Sequence, residues 1–586
     1  MHVQAKRHPG PASSGLRGRL LRGACYLICL ALSVAMFFRK QLSSGFDLLF
    51  GSRTDTIIEM TILEHWYNVL RGHSSWSTGF YYYPYTGTLG FNDGYFLYGL
   101  PYSLLRLSGV DPFLGSELVN VLLRVVAFAA FHLFLRRSLL LGPWWSLLGA
   151  VLFTLSCTMA MRAIHAQLLS VCFVPLFAWL ACNAAEAFAA GAYRRFVLWG
   201  SLAALLMSAW LVTAYYMAWF TLFFLSCATL LGVLSSPGAV LRGVRTLPGR
   251  GWAGVAAVAS VFAAGIVPFL ALYLPKARMT GMHPFAEVLS YTVQPLDLIH
   301  VGDGNLLLAR LDALLNGYFR PELPRYSEHT TGLTLLLLVV FVLACASLCA
   351  RGQAPGGHAS GGRAPGGQAA RRRERLLAAT AVLTWLLTLR IGDWSAWVAV
   401  FDLVPGAAGL RVVARYQLFL AAPVIAVATA YLAGPGAQAP RPLAAILALV
   451  LVAEQITVQQ PVALDRPAEL ARLRSIPAPP PSCRSFFVSR ARANVDLPPE
   501  VDAVYSHNVD GMLLSEWFGL PTLNGFGTFE PPDWNFVGPD RPDYLQRVRT
   551  YARAHDLADV CAVDLLAKRW DTDPLGPAGA APPRPG

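Results

Sequence analysis

The chain has 586 residues, of which 55% are hydrophobic and only 14% charged, with a formal net charge of +13 and a mean hydropathy of +0.47. That composition excludes a soluble globule of this length and marks a polytopic membrane protein. The excess positive charge does not gather on one amphipathic face or alternate with stacking aromatics, so nucleic acid is not the expected partner. The arginines instead sit in short clusters between apolar runs, which is how cytoplasmic loops of membrane proteins are marked.

In chain order, apolar runs lie near 20–38, 116–135, 144–160, 168–188, 196–212, 214–234, 252–274, 331–350, 376–390, 413–433 and 443–459. Crossing ~30 Å of hydrocarbon takes runs of about this length, and the scattered Pro and Gly fit helical spans rather than barrel strands. About eleven transmembrane helices are therefore expected. Arg17, Arg19 and Arg22 precede the first run, which reads as an uncleaved span. Arg136, Arg137, Arg194, Arg195, Arg242, Arg245 and Arg250 fall in later turns and place those turns in the cytoplasm. The expected protein is a multi-pass protein of the inner (plasma) membrane, its N-terminus cytoplasmic and its C-terminus outside. Arg39 and Lys40 fall on the outer side against the charge rule, and 95–107 is apolar enough to count as one more short span.

Residues 1–459 thus form a transmembrane domain with extracytoplasmic loops 39–115 and 275–330, and the Gly/Ala/Arg-rich segment 351–375 reads as a disordered cytoplasmic loop. Residues 460–586 change character, and a small extracytoplasmic α/β domain is expected there. SFFVS and CAVDLLA read as strands, and PDYLQRVRTYARAHDL reads as a helix with Tyr544, Val548 and Tyr551 on one side. Eight of the ten cysteines lie in or beside spans; Cys483 and Cys561 adjoin the two strands. These two are either small core residues or a disulfide of an oxidising compartment.

The chemistry-bearing residue types concentrate in the outer loops. In DTIIEMTILEHW, Asp55 and Glu59 stand one helical turn apart. They read either as acids favoured by a helix start or as a general base that takes a hydroxyl proton at the membrane boundary. Asp93 lies in GFNDGY, where a plain turn and a second functional acid compete. Around it, Tyr81, Tyr82, Tyr83, Tyr85 and Tyr95 supply rings that suit either an interfacial belt or stacking on sugar faces. MRAIHAQLL adds Arg162, His165 and Gln167 at the outer end of a span. No His or Cys spacing resembles a zinc site, and no Gly-rich loop joins a strand to a helix as nucleotide folds require.

The succession DTIIEMTILEHW, FYYYPYTGTLGFNDG and MRAIHAQLLSV resembles the N-terminal half of bacterial GT-C-type membrane glycosyltransferases. SEHTTGLTLLLL, DLVPGAAGLRVVARYQLFL and LPTLNGFGTFEPPDW are similar to later landmarks of one branch of that superfamily. The resemblance implies a GT-C-like fold and a polyprenyl-phosphate-linked sugar donor. It also implies a glycan, lipid or protein acceptor, and an acid of the first outer loop that acts as base or holds a divalent metal. Carried over by position, Asp55 is the base and Asp93 the second acid, with Asp47 the competing acid nearer the first span. Arg162, His165, Arg411 and Arg415 would meet the donor phosphate, and Glu59, Tyr83, Tyr85 and Gln167 would line the substrate site. Two other classes stay open at this point: a lipid or polysaccharide transporter, and a non-catalytic glycan-assembly protein.

Overall fold

The computed structural model describes residues 16–323, 327–350, 365–434, 440–494 and 497–576. Among them, seven helices are long and apolar enough to cross a membrane: Gly18–Phe37, Pro112–Arg137, Pro143–Met161, Ala166–Ala189, Tyr193–Thr213, Tyr215–Ser235 and Val413–Ala433. Gly249–Gly265 and Val267–Thr280, bent by 47°, make an eighth if they are one span. The shorter apolar helices Leu335–Ala350 and Pro442–Glu454 and the arginine-headed helix Pro365–Thr388 occupy the remaining expected runs.

Two readings of the sequence change. Of the segment 351–375, residues 351–364 lie outside the described residues, but from Pro365 the chain is helical rather than disordered. The run QAARRRERLLAA is built from strong helix formers, and Arg373 donates to the Ser138 carbonyl and pairs with Glu186. The stretch 95–107 is a twelve-residue helix, Phe96–Leu107, too short to span. It lies against the helix Asp55–Leu70, and Gly99 permits the contact, since a Cβ there would sit 2.4 Å from the Trp66 ring.

The spans reverse alternately at two ends. One end gathers residues 162–165, Ala214 and the start of Val413–Ala433 together with the long loops; the other holds the turns with Arg136, Arg137, Arg194, Arg195, Arg242 and Arg245.

The region after 460 is not a separate body resting on the loops but is built together with the first of them. Strand Leu48–Phe50 pairs antiparallel with Val462–Asp465. Ser485–Arg490 pairs parallel with Val560–Asp564, which pairs antiparallel with Arg569–Asp571. The helix Pro499–Phe518 packs on Asp55–Leu70, and Tyr544–Ala554 buries Tyr544, Val548 and Tyr551. The tyrosine-rich stretch is part of this joint. Tyr82 and Tyr83 donate their N–H groups to the carbonyls of Asn524 and Thr522 at 3.0 and 2.9 Å. Tyr81 and Tyr82 are fully buried, and the Tyr82 ring is wedged between Phe91 and Trp534. These rings seal two chain segments together rather than present faces to a sugar.

Cys483 and Cys561 form a disulfide, with Cα atoms 5.6 Å apart across 78 residues. The parallel pairing sets Phe486 opposite Cys561 and so brings the bridge partners to adjacent strands. Replacing both by serine removes the cross-link from the unfolded chain, which on the loop-entropy argument costs about 4–5 kcal/mol. Denaturant unfolding of purified wild type and of Cys483→Ser/Cys561→Ser should show the C-terminal region opening first in the variant. Identical midpoints would mean the bridge contributes nothing.

Candidate active site

Three span ends and two loops converge at the loop-bearing end. Asp55 is the first residue of its helix, and its Oδ2 lies 2.6 Å from His165 Nδ1. Tyr505, on the helix Pro499–Phe518, donates its hydroxyl to Asp55 Oδ1. The other face of His165 looks to Glu328, with Nε2 3.5 Å from Oε1. Arg415, at the start of its span, grips Glu328 with two hydrogen bonds: Nη2 to Oε1 at 2.6 Å and Nε to Oε2 at 3.2 Å. Arg162 Nη1 stands 3.4 Å from Glu328 Oε2, and the rest of its fork is spent on the carbonyls of Thr330 and Ser327. Glu328 therefore holds two arginines and a histidine, while Asp55 holds the histidine and a tyrosine.

The electrostatics follow from this packing. Burial alone would raise the Asp55 carboxyl, but the His165 and Tyr505 contacts and the nearby Arg415 charge outweigh it and hold the group below the ordinary aspartate value. Glu328 is likewise buried, yet Arg415, His165 and Arg162 drive it well below the usual carboxylate range. His165 is disfavoured as a cation by burial and by Arg415, but the two acids prevail and raise it. The cluster thus sets the Asp55 and Glu328 carboxylates against the Arg162 and Arg415 guanidiniums, with the His165 ring between the two acids. Asp55 keeps 36% of its side chain exposed against 19% for Glu328, so Asp55 is the acid open to a ligand.

The other expected residues divide around this centre. Asp93 accepts the Tyr215 N–H at 2.7 Å and so caps the helix Tyr215–Ser235. Burial pushes its carboxyl up to about 6 despite that bond and the Arg415 charge. Gln167 accepts from the Tyr95 hydroxyl at 2.9 Å. Burial first, then the charges of Glu59, Asp93 and Asp55, push the Tyr95 phenol well above its ordinary value, so the three acids share the space around that ring. Glu59 is turned away from the cluster: Ser116 donates to it at 3.0 Å, and burial raises its carboxyl to about 8. Arg411 meets Glu287 at 3.9 Å and covers the Tyr291 ring, apart from Glu328. Tyr83 and Tyr85 belong to the joint with the C-terminal region, where Tyr551 donates to the Tyr83 carbonyl and Tyr85 donates to Asp533. Asp47 is exposed in the turn before Leu48–Phe50. Glu328, which lies in SEHTTGLTLLLL without a role assigned from sequence, and Tyr505, which no motif singled out, complete the site.

No family model matches the chain, and no curated protein matches it. Among solved structures, the chain is similar to the arabinofuranosyltransferase AftD from Mycobacteria, with a TM-score of 0.39 and 16% identity over 92% of this chain and 35% of that one. It spans about a third of AftD's length. It is also similar to ArnT from Cupriavidus metallidurans in the apo state, with a TM-score of 0.36 and 12% identity over 94% of both chains.

Among the described residues no group of three or more His, Cys, Asp or Glu side chains could hold a divalent metal. Both oxygens of Asp55 are engaged, and two guanidiniums stand close behind its partner His165.

Proposed function

We propose that this protein is an inverting membrane glycosyltransferase of the GT-C type, which moves a sugar from a polyprenyl-phosphate-linked donor to a cell-envelope glycan, lipid or protein on the outer face. The observation that carries the reading is the partly open Asp55 carboxylate, held below the ordinary aspartate value beside the Arg162 and Arg415 guanidiniums. Guanidiniums so placed suit the negative charge of a lipid-linked phosphodiester. The sequence landmarks of the GT-C type agree with it.

In the reaction so read, Asp55 takes the proton of an acceptor hydroxyl as its oxygen bonds to the anomeric carbon. The bond from that carbon to the phosphate oxygen breaks, and the phosphate leaves with the electron pair as lipid phosphate. Arg162 and Arg415 suit the departing group because planar guanidiniums offer paired hydrogen bonds to phosphate oxygens. Glu328 takes only two of the five N–H donors of Arg415 and holds both arginines at the site, so a donor phosphate would meet them beside that carboxylate. A transporter would be expected to carry its ionic groups at mid-span; here Asp55, Glu328 and Arg415 gather at span ends, while Arg124 and His132 lie within a span.

The deciding experiment supplies purified protein in lipid nanodiscs with polyprenyl-phosphate-linked pentoses and hexoses and with envelope glycan fragments as acceptors. The expected result is glycosylated acceptor together with free polyprenyl phosphate. Movement of intact donor across a bilayer without cleavage would replace this reading by the transporter.

A further inference from the structure

Tyr505 lies 450 residues along the chain from Asp55, yet its hydroxyl donates directly to Asp55 Oδ1. Its ring rests on Phe526, with centroids 4.2 Å apart. Two residues before Asp55, Arg53 Nη2 meets Asp510 Oδ2 at 2.7 Å, and Asp510 sits on the same helix as Tyr505. Arg472 holds the other oxygen of Asp510 at 3.1 Å, so this second anchor is itself fixed. The first turn of the Asp55 helix is thereby latched to the helix Pro499–Phe518 at two points.

An aspartate at a helix start that is a third exposed would ordinarily swivel about both side-chain torsions. Here His165 stands at ion-pair distance from one oxygen and the Tyr505 hydroxyl hydrogen-bonds the other, so the planar group is flanked on both sides and Tyr505 supplies the directional contact. Orientation of a base against its substrate is a large part of catalysis, and misplacement by about 1 Å costs on the order of 100-fold.

We infer that Tyr505 is a positioning residue for glycosyl transfer, aiming the Asp55 carboxylate at the acceptor hydroxyl, and that the C-terminal region in this way completes the active site. The inference rests on the reading of Asp55 as the base. Burial and then the Asp55 charge keep the Tyr505 phenol far above its ordinary value, so it remains a donor across the physiological range. The charged and titratable groups facing Asp55 are His165 from the turn between two spans, Arg415 from its span start, Tyr95 from the first loop and Tyr505; Glu328 acts through His165.

Tyr505→Phe tests this, because it removes one oxygen and keeps the ring on Phe526. In full-length protein in nanodiscs with a polyprenyl-phosphate-linked sugar, kcat should fall about 10–100-fold. The donor KM should stay within about twofold, since donor contacts are untouched. The acid limb of kcat should move to higher pH, because Asp55 loses a hydrogen bond that favours its charged form. As a second measurement, 3,5-difluorotyrosine at position 505 keeps shape with a more acidic phenol, and should bring an alkaline limb to lower pH as the donor ionises. Wild-type kcat with an unmoved acid limb in Tyr505→Phe overturns the inference. So does a fall in kcat matched by a lower unfolding midpoint with no change of pH profile, which is the mark of a merely structural tyrosine. If wild type transfers sugar and Asp55→Asn does not while Tyr505→Phe is unaffected, only this inference fails. Absence of transfer by wild type with every lipid-phosphate donor sinks the glycosyltransferase reading and this inference with it.

Discussion

Asp55→Asn should lower kcat for glycosyl transfer by about 1,000-fold, within the range general bases contribute, while membrane insertion and donor KM stay near wild type. The substitution keeps the shape of the side chain but takes away the charge that accepts the proton. The pH profile of wild type adds a second check. Because His165 and Tyr505 outweigh burial, the carboxyl ionises below the ordinary aspartate value. Activity should therefore persist as pH falls to about 4, where an unassisted aspartate would already be half protonated. Asp93→Asn provides the contrast: the amide oxygen still accepts the Tyr215 N–H, so a loss comparable to that of Asp55→Asn would move the base to the second acid. Transfer assays on the two variants side by side decide between them.

Arg415→Met should be the most damaging change on the phosphate side. It strips Glu328 of two hydrogen bonds and leaves a mostly buried carboxylate with Arg162 and His165 alone. Breaking one partner of a buried pair typically costs about 3–5 kcal/mol. The pH dependence has a definite sign. Glu328 has a depressed folded-state pKa, so its contribution to stability is fully present above the ordinary glutamate value and is lost as pH falls through the folded one. Without Arg415 that depression shrinks, and acid unfolding should begin at higher pH than in wild type. Donor KM should rise about 10–100-fold, the loss expected for hydrogen bonds between charged groups. Arg415→Met/Glu328→Gln separates the two roles: removing the stranded carboxylate should recover much of the unfolding midpoint but none of the donor affinity. Recovery of both would confine Arg415 to a structural part.

Read along the chain, hydropathy was sufficient for much of this architecture. A span announces itself because ~20 consecutive residues must all tolerate lipid. Asp55, Arg162, His165 and Arg415 were named through the resemblance to GT-C glycosyltransferases, and packing brings the four together. The tyrosines of YYYPYTGTLGFNDGY stayed ambiguous because an aromatic ring that stacks on a sugar and one that seals a joint have the same composition; Tyr81 and Tyr82 are sealed in the joint. Only the carbonyls of Thr522 and Asn524, met by the N–H groups of Tyr83 and Tyr82, tell them apart.

Separation in sequence hid the rest. Glu328 takes its meaning from Arg415, 87 residues further on, and Tyr505 from Asp55, 450 residues before it. Glu59 stands one helical turn from Asp55, but the same helix carries it round to Ser116 and out of the cluster. Periodicity determines which residues share a helix face, and hydropathy determines which runs can cross a membrane. Which carboxylate stays ionised and open depends on the groups that long-range packing sets against it, through electrostatics acting over a few ångströms, and that neighbourhood exists only once the C-terminal region has closed on the first loop.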